Sequence, residues 1–249
     1  MFGCNIDYHI ESLSFLRFFP NLSTLIIKGH RLKSLSSIPK LAALTMLDVS
    51  CNYLENLKGL ENLSRLKRLS CFDNRLYDLT ALHNLSDIEF LNVSRNQIAH
   101  VDSLRDLQKL HTLHISWNPG VSLTALQHHT RVKQLVCIAC ELQSLNGLEG
   151  LTDLREFYCW DNQLESLDPL QNCKRLEKLH CHENLLTSIA PLKELKNLRE
   201  LQCQMNQIGT LNDLAELPNL TELWCWGNSE QALTEAANLS RLSICRTLR

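Results

Sequence analysis

Two pairs of residues have types and spacings that are compatible with chemistry. Cys137 and Cys140 are separated by two residues, which is the spacing of a redox-active dithiol. His180 and His182 alternate along one segment, so both imidazoles would lie on the same side of a strand and could bind a metal ion. A redox dithiol normally begins a helix, however, and zinc needs a convergent third ligand. We therefore predict no catalytic residue, no metal and no cofactor, with a metal-dependent or redox enzyme as the alternative.

The segments that carry these residues belong to a repeat of 22 residues. Its first position is apolar in ten successive units, at Leu22, Leu44, Leu66, Ile88, Leu110, Val132, Leu154, Leu176, Leu198 and Leu220. Its ninth position is occupied by His30, Asn52, Asn74, Asn96, Asn118, Cys140, Asn162, Asn184, Asn206 and Asn228. Self-similarity at a fixed short period indicates a solenoid, in which each unit buries its apolar face only against its neighbours.

The pattern inside one unit predicts a strand followed by a return segment. Residues 201–204 alternate between apolar and polar types, which is typical of a short strand with one buried face. After the Asn, apolar residues recur at every third position, which suits a 3₁₀ or short helical return. Stacked coils of this kind form a parallel sheet. Because an amide side chain both donates and accepts, we expect the Asn column to bond the turns of neighbouring coils.

The unit, L-x-x-L-x-[L/C]-x-x-N-x-L-x-x-L-x-x-L, resembles the leucine-rich repeat family. Its length and its continuation after the Asn are similar to the SDS22-like subclass, and residues 167–170 and 189–192 are similar to the repeat of bacterial internalins. The resemblance covers residues 10 to 241. It implies an α/β fold, a right-handed horseshoe with a parallel β-sheet on the concave face and 3₁₀ or short helical returns on the convex face. We divide the chain into an N-terminal partial repeat or cap (1–21), ten repeats (22–241) and a C-terminal partial repeat or cap (242–249).

Composition narrows the function classes. The chain has 25 basic and 27 acidic residues and a net charge of −2, so it has no basic stripe of the kind that nucleic acids require. No apolar run approaches the roughly 20 residues of a membrane span. The first residues lack the basic start and apolar stretch of a signal peptide. We expect no nucleic-acid partner, no membrane partner and a cytoplasmic location, with a secreted effector as the alternative.

The eleven cysteines suggest a disulfide scaffold, but their register argues for a core role. Eight of them occupy inward-facing or ladder positions of the repeat: Cys71, Cys137, Cys140, Cys159, Cys173, Cys181, Cys203 and Cys225. At such positions cysteine behaves as a small hydrophobic residue. We expect these thiols to remain reduced, because a stacked ladder contains no long loop for a disulfide to close.

Two regions depart from the repeat. Residues 231–249 carry apolar residues at roughly helical spacing and predict a short amphipathic capping helix, with a chain cut from a longer protein as the alternative. In the middle, Pro119 and Gly120 interrupt the usual Asn-x-Leu, and His129 and Cys140 occupy consensus Leu and Asn positions. The Pro-Gly turn signal and the inward cysteines of the following units suggest a change of curvature and a separate expansion of the C-terminal half. The alternative is drift in an otherwise over-determined array.

The third, fifth and seventh positions of each unit should point away from the core, onto the concave face where solenoids usually bind partners. Aromatic residues concentrate there in the C-terminal half, with mixed and mildly acidic neighbours. The predicted partner-binding residues are Phe72, Glu156, Tyr158, Trp160, Asp161, His180, His182, Glu200, Gln202, Glu222, Trp224 and Trp226. Exposed aromatic anchors are typical of interaction hot spots. The alternative is that these rings pack against one another as cross-strand neighbours.

These observations favour a non-enzymatic module that binds a protein partner. The resemblance to SDS22-like proteins implies a regulatory or scaffold subunit, of the phosphatase-regulator or the ciliary and cytoskeletal kind. The internalin-like turns keep open a bacterial or parasite effector that binds a host protein. A third reading is the recognition arm of a larger enzyme. The sequence leaves the oligomeric state open.

Overall fold

The computed structural model describes residues 9–247. Within this range eleven three-residue strands form a single parallel sheet, in which sequence order is also spatial order. The strands are β1 (Thr24–Ile26), β2 (Met46–Asp48), β3 (Arg68–Ser70), β4 (Phe90–Asn92), β5 (Thr112–His114), β6 (Gln134–Val136), β7 (Glu156–Tyr158), β8 (Lys178–His180), β9 (Glu200–Gln202), β10 (Glu222–Trp224) and β11 (Ile244–Arg246). The register joins each residue to the one 22 positions away, as in Glu156 with Lys178. The predicted fold class, an open leucine-rich repeat solenoid, is confirmed.

Each strand returns through a turn or a 3₁₀ segment because apolar residues recur at every third position. The 3₁₀ segments are Ser14–Phe18, Thr80–Leu82, Asp102–Leu104, Thr124–His128, Asp168–Asn172, Ala190–Leu192 and Asn212–Glu216. Leucines of the strands and returns meet in one continuous core that runs the length of the array. The eight cysteines predicted to be core residues are all buried in it, whereas Cys51 and Cys245 are exposed.

The chain leaves each of the strands β1 to β10 through a left-handed turn. The eighth residue of each of the ten units has a φ between 51° and 73°: Gly29, Cys51, Asp73, Arg95, Trp117, Ala139, Asp161, Glu183, Met205 and Gly227. Only two of these are glycine, although residues with a Cβ adopt this conformation at a cost. The surrounding coil therefore holds the turn in place, and it places Asp161 at the rim of the predicted site.

The ladder asparagines connect successive coils in one direction. Nδ2 of Asn184 donates to the carbonyl oxygens of Cys159, Cys181 and His182 at 3.0, 3.1 and 3.1 Å. Its Oδ1 accepts from the backbone N–H of Leu164, in the preceding coil, at 3.0 Å. The predicted column of inter-coil bonds is confirmed, and it reaches back toward the N-terminus of the array.

The turn at residues 118–120 differs from the others, and a different set of hydrogen bonds replaces those that an Asn at position 140 would make. Cys140 replaces the Asn, and its thiol donates to the carbonyls of Ile115 and Ile138 at 3.4 Å. A thiol is a weak acceptor, and the N–H of Gly120 bonds instead to the backbone carbonyl of Cys140 at 2.9 Å. Pro119 restricts the backbone just before Gly120, and it has no N–H that needs a partner. The departures at 119–120 and at 140 are therefore one linked change rather than independent drift.

The C-terminal end closes with a helix and one more strand. Helix α1 spans Glu230–Ala237, and the Ser229 side chain caps it by accepting from the N–H of Ala232 at 3.0 Å. The predicted short helix is present, but over residues 238–247 the helical spacing is misleading, because Asn238 ends the helix and residues 244–246 pair with β10 as β11. This strand lies in the segment that we predicted as a partial repeat. Residues 248–249 lie outside the described residues.

Candidate functional site

Side chains at the third, fifth and seventh positions lie on the sheet face opposite the core, called here the open face. Together with the eighth position, this face is strongly polarised in charge. Units seven to ten carry five carboxylates and one ammonium group there, namely Glu156, Asp161, Glu183, Glu200, Glu222 and Lys178. Units five and six carry no Asp, Glu, Lys or Arg at these positions. Between units six and seven the face therefore becomes acidic, and the predicted aromatic residues other than Phe72 lie on this acidic part.

Four rings on β7, β8 and their exits pack into one cluster. The His180 ring meets the Tyr158 ring edge-on, with centroids 4.8 Å apart and planes at 89°. His182 stacks on the Trp160 indole at 5.1 Å and 13°. Tyr158 and Trp160 also contact one another edge-on at 6.2 Å. These residues are half-buried rather than fully exposed. The rings therefore do pack against one another across neighbouring strands, as the alternative interpretation of the sequence stated. This packing also fixes the orientation of the rings.

Glu156 holds the N-terminal side of this cluster through hydrogen bonds. Its Oε2 accepts from Nε2 of Gln134 at 2.6 Å and from the hydroxyl of Tyr158 at 3.1 Å. Oε1 of Gln134 in turn lies 3.1 Å from Nε2 of His114 on β5. The network therefore extends across three strands and orders the Glu156 carboxylate.

Glu200 holds the other side. Its Oε1 lies 2.7 Å from Nε2 of His180 and accepts from Nε2 of Gln202 at 3.0 Å. Its Oε2 pairs with the Lys178 ammonium at 3.6 Å. Because His180 is engaged with a carboxylate in this way, its ring is oriented by the sheet and does not converge with His182.

Burial sets the protonation of two of the rings. It raises the pKa of Tyr158 to about 12, with a further contribution from the adjacent Glu156 carboxylate. It lowers the pKa of His182 to about 4, and the neighbouring His180 acts in the same direction. At neutral pH Tyr158 and His182 are therefore uncharged.

Gln204 is a residue of this face that sequence reasoning missed. It follows β9, is only 8% exposed, and its Oε1 has no hydrogen-bond partner within residues 9–247. Nδ1 of His182 is likewise buried without a partner in that range. Nothing in the sequence distinguishes Gln204 from other polar residues at the seventh position, because its burial results from the packing of its neighbours.

The predicted tryptophans at the C-terminal end form a second group. Trp224 lies on β10, and the guanidinium of Arg246 on β11 stands over its ring at 5.8 Å from the centroid. Trp226 follows on the same side of the chain and is half-buried. Gln202 and Gln204 on the intervening coil separate this pair of indoles from the four-ring cluster.

Phe72 lies apart from the other predicted residues. It follows β3 in the N-terminal half, where the guanidinium of Arg95 stands 5.8 Å from its ring and 5.1 Å from that of Trp117. The structure thus brings together the predicted residues of units seven to ten but leaves Phe72 several strands away. The group that faces its ring is a guanidinium, although the Asp73 carboxylate follows it in the chain.

Cys137 with Cys140 and His180 with His182, the two pairs whose spacing is compatible with chemistry, lie in surroundings that favour a structural role. Cys137 and Cys140 are fully buried, and burial raises the pKa of both thiols, that of Cys140 to about 11. A thiol of this kind is not a nucleophile at neutral pH. The rings of His180 and His182 are 6.5 Å apart and tilted by 50°. Across residues 9–247, no group of three or more His, Cys, Asp or Glu is placed to hold a metal ion.

Comparison with known proteins bears on the repeat and the fold. A family model described as leucine rich repeats (2 copies) matches residues 152–194, 174–216 and 196–241. No curated protein matches the chain in sequence. In the part of the chain that the structure describes, no helix is long and apolar enough to span a membrane.

Three solved structures share the fold. An internalin (inlF) from Listeria monocytogenes superposes with a TM-score of 0.80 at 21% identity, covering 96% of this chain and 78% of that one. A TLR13–ssRNA13 complex gives 0.76 at 20% identity, covering 92% and 36%. The plant peptide hormone receptor RGFR1 in complex with RGF2 gives 0.70 at 21% identity, covering 84% and 36%.

Proposed function

We propose that this leucine-rich repeat protein is a non-enzymatic recognition module that binds a protein partner on the open face of units seven to ten. We call this surface the acidic aromatic face; it comprises Glu156, Tyr158, Trp160, Asp161, His180, His182, Glu200, Gln202, Glu222, Trp224 and Trp226. The observation that carries the proposal is the concentration of rings and carboxylates on one half of a face that the fold leaves uncovered. The core is complete without these side chains, so packing of the solenoid does not account for them.

The ordered state of the face supports binding. Rings that already contact one another, and carboxylates held by Gln134, His180 and Gln202, lose little conformational freedom when a partner arrives. Aromatic residues of this kind contribute much of the energy at protein interfaces. The RGFR1 structure is a complex with a peptide ligand on a related fold, which supports a peptide or protein partner here.

Within this proposal the chain acts as a regulatory or scaffold subunit that holds its partner and performs no chemistry. Buried thiols with raised pKa and the uncovered open face of the sheet both support a binding role. The internalin-like turns at residues 167–170 and 189–192 favour, as a second candidate, an effector that binds a protein of another organism.

The test is a comparison of three baits in lysate of the source cells. The first is the intact chain, the second carries Tyr158, Trp160, Trp224 and Trp226 changed to Ser, and the third is a matched control with Ile26→Ser and Phe90→Ser on the N-terminal open face. Circular dichroism and urea unfolding establish that all three are folded. The expected result is a partner captured by the intact chain and the control but lost from the fourfold variant. Equal capture by all three baits would place the binding surface elsewhere and overturn the proposal.

A further inference from the structure

A small hollow lies on the open face of the N-terminal half, apart from the acidic aromatic face. It has a volume of about 180 Å³ and lies between β2 and β4. Its lining consists of Met46, Asp48, Arg68, Ser70 and Phe90, with the buried Leu47 and Leu69 at its base. Pockets for drug-sized molecules have volumes of about 300–1,000 Å³, so this hollow is of a size for a single side chain.

The Arg68 guanidinium forms one wall of the hollow and is held in place by a ring. Its Cζ lies over the Phe90 ring, 4.3 Å from the ring centroid. Phe90 is half-buried and meets the His114 ring edge-on at 5.4 Å, so the next strand fixes this ring in turn. A guanidinium that lies over a ring keeps the N–H groups of its edge available, and those groups match the two oxygens of a carboxylate.

Arg68 carries a positive charge that no carboxylate compensates in the described part of the chain. Its guanidinium has no ion-pair partner and makes no hydrogen bond within residues 9–247. The side chain is exposed, so an approaching group can reach it. The Asp48 carboxylate is already engaged, because its Oδ2 pairs with Nζ of Lys28 at 2.8 Å and its Oδ1 accepts from the N–H of Ser50 at 3.1 Å. Lys28, Asp48 and Arg68 together leave one positive charge at the hollow.

The remaining groups of the hollow favour a carboxylate on an apolar stem. The Ser70 hydroxyl already bonds to that of Ser50 at 2.9 Å, and Met46 offers an apolar wall on the side opposite Phe90. A phosphate carries a charge of about −1.5 to −2, which exceeds the single positive charge of the hollow and would lie beside the Asp48 carboxylate. A strand of nucleic acid needs several cations for its phosphates, and the hollow has one that is uncompensated.

We propose that this hollow is a binding site for a glutamate side chain of a polypeptide ligand, with the carboxylate on Arg68 and the methylene groups against Met46. The site is independent of the acidic aromatic face. With both surfaces, one chain binds ligands of opposite charge on the two halves of its open face.

The test uses the whole chain labelled with ¹⁵N and four five-residue peptides. Three are acetyl-Gly-Ala-X-Ala-Gly-amide with X as glutamate, glutamine or phosphoserine, and the fourth is the glutamine peptide with a free C-terminal carboxylate. The readouts are the side-chain Nε–H signal of Arg68 and the backbone N–H signal of Ser70. The internal control is the Nε–H signal of Arg131, an exposed arginine outside the open face that has no ion-pair partner among the described residues.

The glutamate peptide should shift the Arg68 signal to saturation at a concentration that leaves the Arg131 signal far from saturation. The glutamine peptide should bind at least about fivefold more weakly, because it offers no charge-assisted hydrogen bond. The phosphoserine peptide and the peptide with the free C-terminus should both bind more weakly than the glutamate peptide.

Three variants separate a built site from a simple surface charge. Arg68→Gln removes the charge of an exposed side chain and should abolish the preference for glutamate over glutamine, measured on the Ser70 signal. Ser70→Tyr fills the hollow but keeps the Arg68 charge, and it should weaken binding of the glutamate peptide at least about fivefold. The same strand position holds Tyr158 in β7, so the fold accepts this side chain. Arg131→Gln is the matched control and should retain the preference.

The site is overturned if Arg68 and Arg131 saturate together, if the glutamate and glutamine peptides bind equally, or if Arg68→Gln retains the preference. A folded Ser70→Tyr variant that binds like the parent would also overturn it. Tighter binding of phosphoserine would replace the carboxylate by a phosphate as the ligand, and tighter binding of the free C-terminus would refute a side chain as the source of the carboxylate.

The two proposals of binding can fail separately. The fourfold Ser variant leaves the hollow intact and should bind the glutamate peptide like the parent. The control bait with Phe90→Ser lacks the ring beneath Arg68, so it should bind this peptide more weakly and still capture the partner. Failure of the peptides would therefore leave the proposed function standing, and a partner retained by the fourfold Ser variant would refute the proposed function alone.

Discussion

Asn184→Ala tests whether the ladder stabilises the coil beneath the acidic aromatic face. Asn184 is 6% exposed and takes part in four hydrogen bonds. Its three carbonyl acceptors each keep another donor: Asn162 for Cys159, Asn206 for Cys181, and the Asp161 N–H for His182. The N–H of Leu164 has no other acceptor and becomes a buried, unpaired donor.

The expected loss follows from this single orphaned group. An unpaired buried donor costs about 1–3 kcal/mol, and the loss of the amide's own bonds brings the total to about 2–4 kcal/mol. With a urea dependence of about 2–3 kcal/mol per M, the unfolding midpoint should fall by about 1 M. Urea unfolding followed by circular dichroism measures this shift.

Gln207→Ala is the matched control, because this exposed side chain lies close to the same turn in the next coil and makes no side-chain hydrogen bond to the ladder. Its midpoint should remain within about 0.2 M of the parent, as expected for a surface substitution. An Asn184→Ala midpoint equally close to the parent would refute the reasoning, since it would mean that water or a backbone shift satisfies Leu164 at no cost.

Three further predictions concern buried side chains. His129→Leu should raise the free energy of unfolding by about 1 kcal/mol in the same assay, because His129 is 2% exposed with an unpaired Nδ1, while the Leu104 carbonyl that it bonds also accepts from the N–H of Leu107. A loss of stability would contradict this. His182 has a pKa lowered from 6.5 to about 4, so the unfolded chain takes up a proton that the folded chain does not, and stability should fall as pH decreases from about 6.5 to 4. His182→Gln should weaken this fall, and urea midpoints at several pH values that parallel the parent would refute the assignment. Alkylation of the native protein, mapped by mass spectrometry, should modify Cys51 and Cys245 but not the eight buried cysteines until urea is added; early labelling of Cys159 would contradict the buried ladder.

The repeat made the architecture predictable from the residues. The period determined the strand order and register, and the alternation around residues 201–204 correctly separated the core face from the open face. The role of the asparagines followed from the donors and acceptors of an amide. These features depend on residue type at a fixed spacing, which a sequence displays directly.

The details of the site depend on distances between coils and were less predictable. The sequence placed His180 and His182 on one face. It did not show that the Glu200 carboxylate contacts His180 or that the Trp160 indole stacks on His182. Gln204 had no distinguishing neighbour in the chain, since its burial results from side chains that are 22 residues away on either side. At the end of the chain the helical spacing was misleading, because leucines after Ala237 also fit it.

The direction of the asparagine bonds has a consequence for synthesis of the chain on the ribosome. The N–H of Leu164 acquires its acceptor only when Asn184 has been made, 20 residues later. Each newly emerged coil is therefore incomplete until the next one follows, and the growing end always carries one open turn. In the coil of Asn228, Ser229 caps helix α1 by accepting from the N–H of Ala232, so this helix takes its partner from within its own coil. The array is thus built with a growing edge that each following coil completes.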